Sequence, residues 1–365
     1  MDKRNIMESV GRLLVDQDKA RIIVPAKEPR SGFWFGGGNA VEDKKGNIYV
    51  SGRYRNSGDS RTGVGKGERG RELAVFMSSD KGERFEKVLS FEKRDLDVNG
   101  WKVLSIEGSA LRIDGDRVEL YVSTEKADRP FAAGLEEYHK PGTGSWTIER
   151  IVGTSVDELD PSGIATVLQC DDPRWFNIKD PFLYELSDGE LMMGFCSHPF
   201  NWSSSNSGFA IIEAESSKAR EVDFAFFPRG FCWDVGITRA TCFLSLPRVG
   251  AFSDEVHTLC IYDGGEAMRD YPQHDKAKVR PRGYSCEELG GLAYFINEDP
   301  RSIERISITE PLFLSPHGQR TSRYVDVLET EEAYYTTWQQ SQSDGSQPLV
   351  MNRVEKSEVV RLLGG

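Results

Sequence analysis

Carboxylates, arginines and tryptophans gather at recurring places in this sequence, where a polar or glycine-rich stretch runs into an apolar strand or a strand runs out into a loop. Ahead of such strands lie Trp34 to Asn39, Trp101 to Ser109, Trp175 to Asp180, Trp233 to Arg239 and His317 to Arg323. Behind the strands that follow come Gly52-Arg53-Tyr54-Arg55, Ser123-Thr124-Glu125, Cys196-Ser197-His198, Tyr262 to Glu266 and Trp338-Gln339-Gln340, and Tyr284 to Glu288 precedes a further strand. This mixture suits a sugar, whose hydroxyl edges meet charged groups and whose apolar faces meet aromatic rings. Cleaving a glycosidic bond needs two carboxylates flanking it, one of them kept protonated by its surroundings. Asp180, Glu107 and Glu288 are the catalytic candidates. Neighbouring side chains of an extended segment point to opposite faces, so only one of Glu287 and Glu288 can face a shared pocket, and Glu288 is favoured. Arg53, Arg55, Trp101, Trp175, His198, Arg239, Asp263, Arg323 and Trp338 are the substrate-binding candidates. His198 and His317 lack a partner at metal-ligand spacing, and no phosphate loop or cofactor fingerprint is present, so neither metal nor cofactor is expected.

Each candidate has a plainer reading. Asp180 before a proline can cap a turn, Glu107 can pair with an arginine of the next unit, and Arg53 and Arg55 can be solvated charges at a strand end. Each rim tryptophan can wedge between packed sheets.

A weak internal repeat would position these residues. Segments beginning at Gly37, Glu107, Lys179, Thr238 and Ser322 each run from a polar start through an apolar strand and a turn to a second strand. Gly38, Gly108, Asp180, Arg239 and Arg323 are equivalent points, spaced 59 to 84 residues apart. The turns carry hairpin chemistry: Lys45-Gly46-Asn47, Asp114-Gly115-Asp116 and Ser187-Asp188-Gly189. Two further strands follow most copies, among them ELAVFMSS then FEKVLSF, and LVMNRVE then EVVRLL. Four antiparallel strands per copy make a propeller blade. The expectation is an all-β fold: one five-bladed β-propeller domain over residues 1–365, its innermost strands beginning near Asn39, Ser109, Pro181, Ala240 and Tyr324. Within residues 1–30, a helix over Asn5 to Val15 covers the ring from outside, and ARIIVPA from Ala20 either closes the ring or adds an edge. Strand order in a blade then puts the rim segments on one face.

Composition narrows the partners. A net charge of −12 repels phosphate backbones, which argues against nucleic acid. Apolar residues make up 38%, with no run near the about 18 to 20 needed to cross a bilayer, so no membrane partner is expected. No signal peptide is read at the N-terminus, and six cysteines without a CxxC pair fit a reduced, cytoplasmic chain. The expected partner is a small-molecule carbohydrate. The oligomeric state is not legible.

Two short motifs add a resemblance. Ile178-Lys179-Asp180-Pro181-Phe182 resembles the (R/K)-D-P motif of the five-bladed propeller glycosidases, the group of arabinanases, β-xylosidases, invertases and levansucrases. Ile106-Glu107-Gly108-Ser109 resembles the E-G-P stretch of the arabinanase and xylosidase branch. The resemblance implies that Asp180 orients the sugar and stabilises the transition state, and that Glu107 is the general acid, although Ser109 replaces the proline and the segment falls in blade two. Gly36-Gly37-Gly38-Asn39 stands where those families carry an aspartate in blade one, and Glu288 could supply the lost group. Ser78-Ser79-Asp80-Lys81-Gly82-Glu83-Arg84-Phe85 resembles the Asp box of sialidases, which implies a structural turn between the third and fourth strands of a blade.

The leading reading is a glycoside-cleaving enzyme that works by carboxylate acid/base catalysis in an axial pocket. A second is a sialidase-like exo-hydrolase in which Arg53 or Arg55, Arg239 and Arg323 clamp an acidic sugar and Tyr324 or Tyr335 is the nucleophile. A third is a non-catalytic propeller that binds carbohydrate or protein, which expects the carboxylates to be ion-paired and scattered.

Overall fold

The computed structural model describes residues 2–55, 70–131, 133–138, 144–198, 204–213, 218–266 and 288–365. A helix, α1 (Lys3–Leu14), and a short strand, β1 (Arg21–Val24), precede the first blade. In blade one, β2 (Trp34–Gly36) and β3 (Ala40–Glu42) both pair with β4 (Ile48–Arg55), followed outward by β5 (Glu72–Ser78) and β6 (Glu86–Glu92). Blade two is β7 (Val103–Asp114), β8 (Arg117–Lys126), β9 (Ser145–Gly153) and β10 (Ala165–Leu168). Blade three is β11 (Asn177–Glu185), β12 (Leu191–His198), β13 (Asn206–Ile212) and β14 (Ala219–Phe227). Blade four is β15 (Ile237–Ser245), β16 (His257–Gly265), β17 (Leu289–Ile296) and β18 (Glu304–Arg305). Blade five is β19 (Ser322–Glu329), β20 (Ala333–Gln340) and β21 (Leu349–Glu355), with β1 as its fourth strand.

The chain therefore closes its own ring. β1 runs antiparallel to β21, with Arg21 opposite Met351 and Val24 opposite Leu349. Because β1 takes that edge, EVVRLL is not the strand expected from its apolar content. It lies in a helix, α2 (Lys356–Leu363). Glu355 and Glu358 form a reciprocal capping box at its start, and Gly364 ends it at φ 85°. Val359 and Leu363 then join Met7, Val10 and Leu14 of α1 in one apolar cluster over blades four and five.

The innermost strands begin earlier than expected, at Trp34, Val103, Asn177, Ile237 and Ser322. Each is broken a few residues in. The register shifts between Ile106 and Ser109, Lys179 and Phe182, Ala240 and Cys242, and Arg323 and Asp326, and in blade one the pairing stops at Gly36 and resumes at Ala40. The expected starts coincide with these irregularities, where glycines and polar residues interrupt the apolar alternation. A bulge bends a strand and re-aims its side chains, so the ring carries five such devices at one level. Asp180 (φ 56°) and Tyr324 (φ 52°) adopt the left-handed conformation there.

At this level the blades are tied to one another by hydrogen bonds. Ser109 N donates to Gly37 O, Asp180 N to Ser123 Oγ and Ala240 N to Ser207 Oγ. Tyr324 N donates to Asp263, and Ala40 N to Asp326 Oδ2. Ser78 to Phe85 turns between β5 and β6: Ser78 Oγ accepts from Gly82 N (2.9 Å) and Asp80 Oδ1 from Arg84 N (2.9 Å).

Candidate active site

Charged groups from all five blades meet at one buried place around Tyr324. From β11, Asp180 presents Oδ1 to Gly108 N at 2.9 Å and Oδ2 to Arg239 Nη1 at 3.2 Å and to the Tyr324 hydroxyl at 3.3 Å. From β4, Arg53 donates through Nη2 to Tyr324 Oη (3.2 Å) and Glu107 Oε2 (3.2 Å). From β7, Glu107 accepts on Oε1 from Ser105 Oγ at 2.8 Å. From β15, Arg239 grips Asp263 Oδ2 through Nη2 (2.8 Å) and Nε (3.1 Å) and lies 3.5 Å from Glu288 Oε1. Arg323, beside Tyr324, donates to Glu288 Oε2 at 2.6 Å. The guanidinium carbons of Arg239, Arg323 and Arg53 lie 4.0, 5.2 and 5.3 Å from the Tyr324 ring centroid. The Trp34 ring lies 4.8 Å from Arg53 and 5.1 Å from Arg323, which makes it an aromatic platform for both.

Burial and charge fix the ionisation of this set. Burial alone would raise the Asp180 carboxyl, but Lys179, Arg239, Arg53 and the Gly108 N–H hold it far below the usual carboxylate range. Burial likewise works to raise Glu288, and Arg323 and Arg239 overcome it to keep the group below its ordinary value. For Asp263 burial wins over Arg239 and the Tyr324 N–H, and the carboxyl is pushed up to about 6. Burial pushes the Tyr324 hydroxyl up to about 12 against the pull of Arg239. Lys179 would be lowered by burial, yet Asp180 and Glu107 hold it above its ordinary value. Glu107 keeps 12% of its side chain exposed, against 3% for Asp180, 0% for Asp263 and 5% for Glu288, so it is the most open carboxylate of the set.

One glycine is required by this arrangement. A Cβ on Gly37 would stand 1.9 Å from Arg53 Nη1, and Gly37 has φ 74°. The place that a blade-one side chain would fill is occupied by the Arg53 guanidinium. Beneath, Gly37, Gly108, Asp180, Phe182, Thr241 and Tyr324 line a small axial cavity of about 20 Å³, room for roughly one water.

Of the sequence candidates, Asp180, Glu107, Glu288, Arg53, Arg239, Asp263 and Arg323 are thus brought together, with Tyr324 at their centre. His198, at the end of β12, lies with Nε2 3.1 Å from Cys196 Sγ. Burial and the adjacent Lys179 hold its imidazole well below the ordinary value, so it stands there uncharged. Arg55 is buried opposite Trp34 in the β2–β4 pairing.

The tryptophan expectations need correction. Trp338 is fully buried in the apolar cluster beneath α1, and its indole N–H donates to Gln17 Oε1 at 3.2 Å, so it is a core residue with no face for a sugar. Trp175 stacks on Phe224 at 5.8 Å, and Trp101 closes a tight turn with Val98; neither contributes an atom to the network. Tyr335, an alternative nucleophile in the acidic-sugar reading, accepts from Arg353 Nε in an outlying cluster apart from the network, and His317 lies exposed in a loop. Glu287 and Cys286 lie outside the described residues. Trp34 and Lys179 belong to the site and were not singled out as binding groups; the strand register that puts Trp34 between two arginines has no trace in its local sequence. Among the described residues, no group of three or more histidines, cysteines, aspartates or glutamates is placed to hold a metal ion.

No family model matches the sequence, and no curated protein matches it. Solved structures do. A xylan β-1,4-xylosidase from Bacillus halodurans C-125 superposes with a TM-score of 0.56 at 13% identity, over 92% of this chain and 54% of its own, so the chain spans about half the length of that protein. An α-L-arabinofuranosidase from Lactobacillus brevis gives 0.56 at 9% identity, over 91% of each chain. A Bacillus subtilis arabinanase gives 0.51 at 13% identity, over 92% of this chain and 97% of its own. At such identities the likeness is one of architecture: this chain is a five-bladed β-propeller with the fold of those three proteins.

Proposed function

We propose that the chain is a glycoside hydrolase acting on a small glycoside at the axial cluster. The observation that carries this reading is the convergence of four carboxylates from blades two, three and four on one place beside Tyr324, in a fold shared with xylan- and arabinan-cleaving enzymes. Asp180 is the permanent anion, stabilising positive charge on the sugar ring in the transition state. Glu107 is the proton donor to the leaving oxygen, because it is the carboxylate of the set open to a ligand. Glu288, kept ionised by Arg323 and Arg239, takes the proton of the attacking water. Water's hydroxyl goes to the anomeric carbon, and the Glu107 proton leaves with the departing group.

Ion-paired carboxylates were the mark expected of a non-catalytic binder, together with scatter. Here they are paired but convergent, which favours an enzyme. A screen of aryl glycosides, with product followed by NMR, tests the reading. Turnover that drops by about 10²-fold or more in Glu107→Gln supports the assignment, and failure to cleave any member rejects the hydrolase reading.

A further inference from the structure

We infer that the sugar taken by this site bears a carboxylate, as in the uronate class, and that Lys179 receives it; the inference deepens the hydrolase reading and rests on it. Of the cations in the cluster, Arg53 pairs with Glu107, Arg239 with Asp180, Asp263 and Glu288, and Arg323 with Glu288. Lys179 is the exception: among the described residues its ammonium makes no hydrogen bond or ion pair, and its nearest recorded contact is the Trp146 ring, 5.8 Å away. A lysine ammonium with no anion in contact keeps its capacity for charge-assisted hydrogen bonds unmet.

The surroundings suit an incoming anion. Lys179 stands at the register shift of β11, where the regular alternation of side chains breaks; the residue is only partly buried, and its ammonium is near enough to Asp180 and Glu107 to feel both, so a ligand at those carboxylates lies close to it. Glu107 and Asp180, the carboxylates acting on Lys179, are each already matched by an arginine in contact, so a second anion does not meet them bare. A neutral sugar would leave the ammonium as it stands; a carboxylate would complete it with a charge-assisted hydrogen bond.

Because Lys179 also acts on Asp180, its loss would disturb turnover of any substrate, and the test is therefore made on binding. Calorimetric titration of the whole chain near neutral pH would compare sodium D-glucuronate and sodium D-galacturonate with D-glucose and D-galactose. The uronates are expected to bind roughly tenfold or more tightly than their neutral counterparts. Lys179→Met should erase that advantage, Lys179→Arg should keep it, and melting curves should show both variants folded. Wild-type protein that shows no preference for the uronates, including no detectable binding of them, overturns the inference, as does a preference that survives in Lys179→Met. The hydrolase reading fails on different evidence: uronate binding without release of aglycone from any aryl glycoside would leave an anion-binding site and no enzyme.

Discussion

At the bulge of blade three the axis receives a carboxylate, Asp180, whereas at the equivalent point of blade one it receives no side chain: Gly37 leaves the space to the Arg53 guanidinium from the neighbouring strand. The two blades are also held differently. Asp180 N is tied to a neutral hydroxyl, Ser123 Oγ, while Ala40 N of blade one is tied to a carboxylate, Asp326. The same backbone device can thus deliver opposite charge to the axis, depending on which strand supplies the side chain. A propeller site is to be read from pairs of adjacent strands, because a missing residue on the first strand can be the vacancy that a residue of the second one fills.

The sharpest way to break this contrast is to neutralise the blade-three anion. Asp180→Asn keeps an acceptor for Gly108 N and should fold normally, yet kcat on the best aryl glycoside is expected to fall by about 10²- to 10³-fold, the scale on which a single transition-state electrostatic contact acts. Full activity in that variant would remove Asp180 from the mechanism.

Next in size is the attempt to make blade one resemble blade three. Gly37→Asp places a side chain on the Arg53 guanidinium and a non-glycine residue at φ 74°, with strain of about 1 to 3 kcal/mol before any clash is counted. A lowered melting temperature is expected, relieved in part by adding Arg53→Ala. An unchanged melting temperature in the single variant would show that Arg53 does not fill that space.

The smallest effect concerns the ties. Burial raises Asp326 to about 7 from 3.8, so above pH 7 the folded chain holds an unfavourable buried anion that the unfolded chain does not. The stability on this account is fully present below about pH 4, is lost progressively as pH rises from there to about 7, and is flat above. Asp326→Asn, which keeps an acceptor for Ala40 N, should melt higher than the parent at pH 8, by less at pH 5, and no higher near pH 4. Equal melting curves across that range would contradict a charged Asp326. Blade three, tied through a serine, should show no such dependence when Ser123 is the residue replaced.

Much of this site was legible in the sequence because it lies at the starts of the innermost strands, where polar residues interrupt apolar runs: Asp180, Glu107, Arg239 and Arg323 all announce themselves there. The blade count followed from the same interruptions. What escaped depended on partners distant in the chain. Trp338 reads like a rim tryptophan until α1, more than three hundred residues earlier, is laid over it. EVVRLL reads like a strand until the N-terminal β1 is found on the edge it would have taken. Trp34 becomes a platform only when Arg53 and Arg323, from two blades, come to its ring.

Pairing of β1 with β21 makes the order of synthesis matter. As the chain grows, Val24 must wait until Leu349 has been made before its ladder can form, so a strand made more than three hundred residues earlier is among the last to be satisfied. From the time β21 forms until β1 docks, blade five has an open edge, able to pair with any exposed strand, and a contact of such sequence separation is slow to find. Ring closure is accordingly a step at which this chain is open to exchange with a second copy of itself, whose β1 could take the same edge.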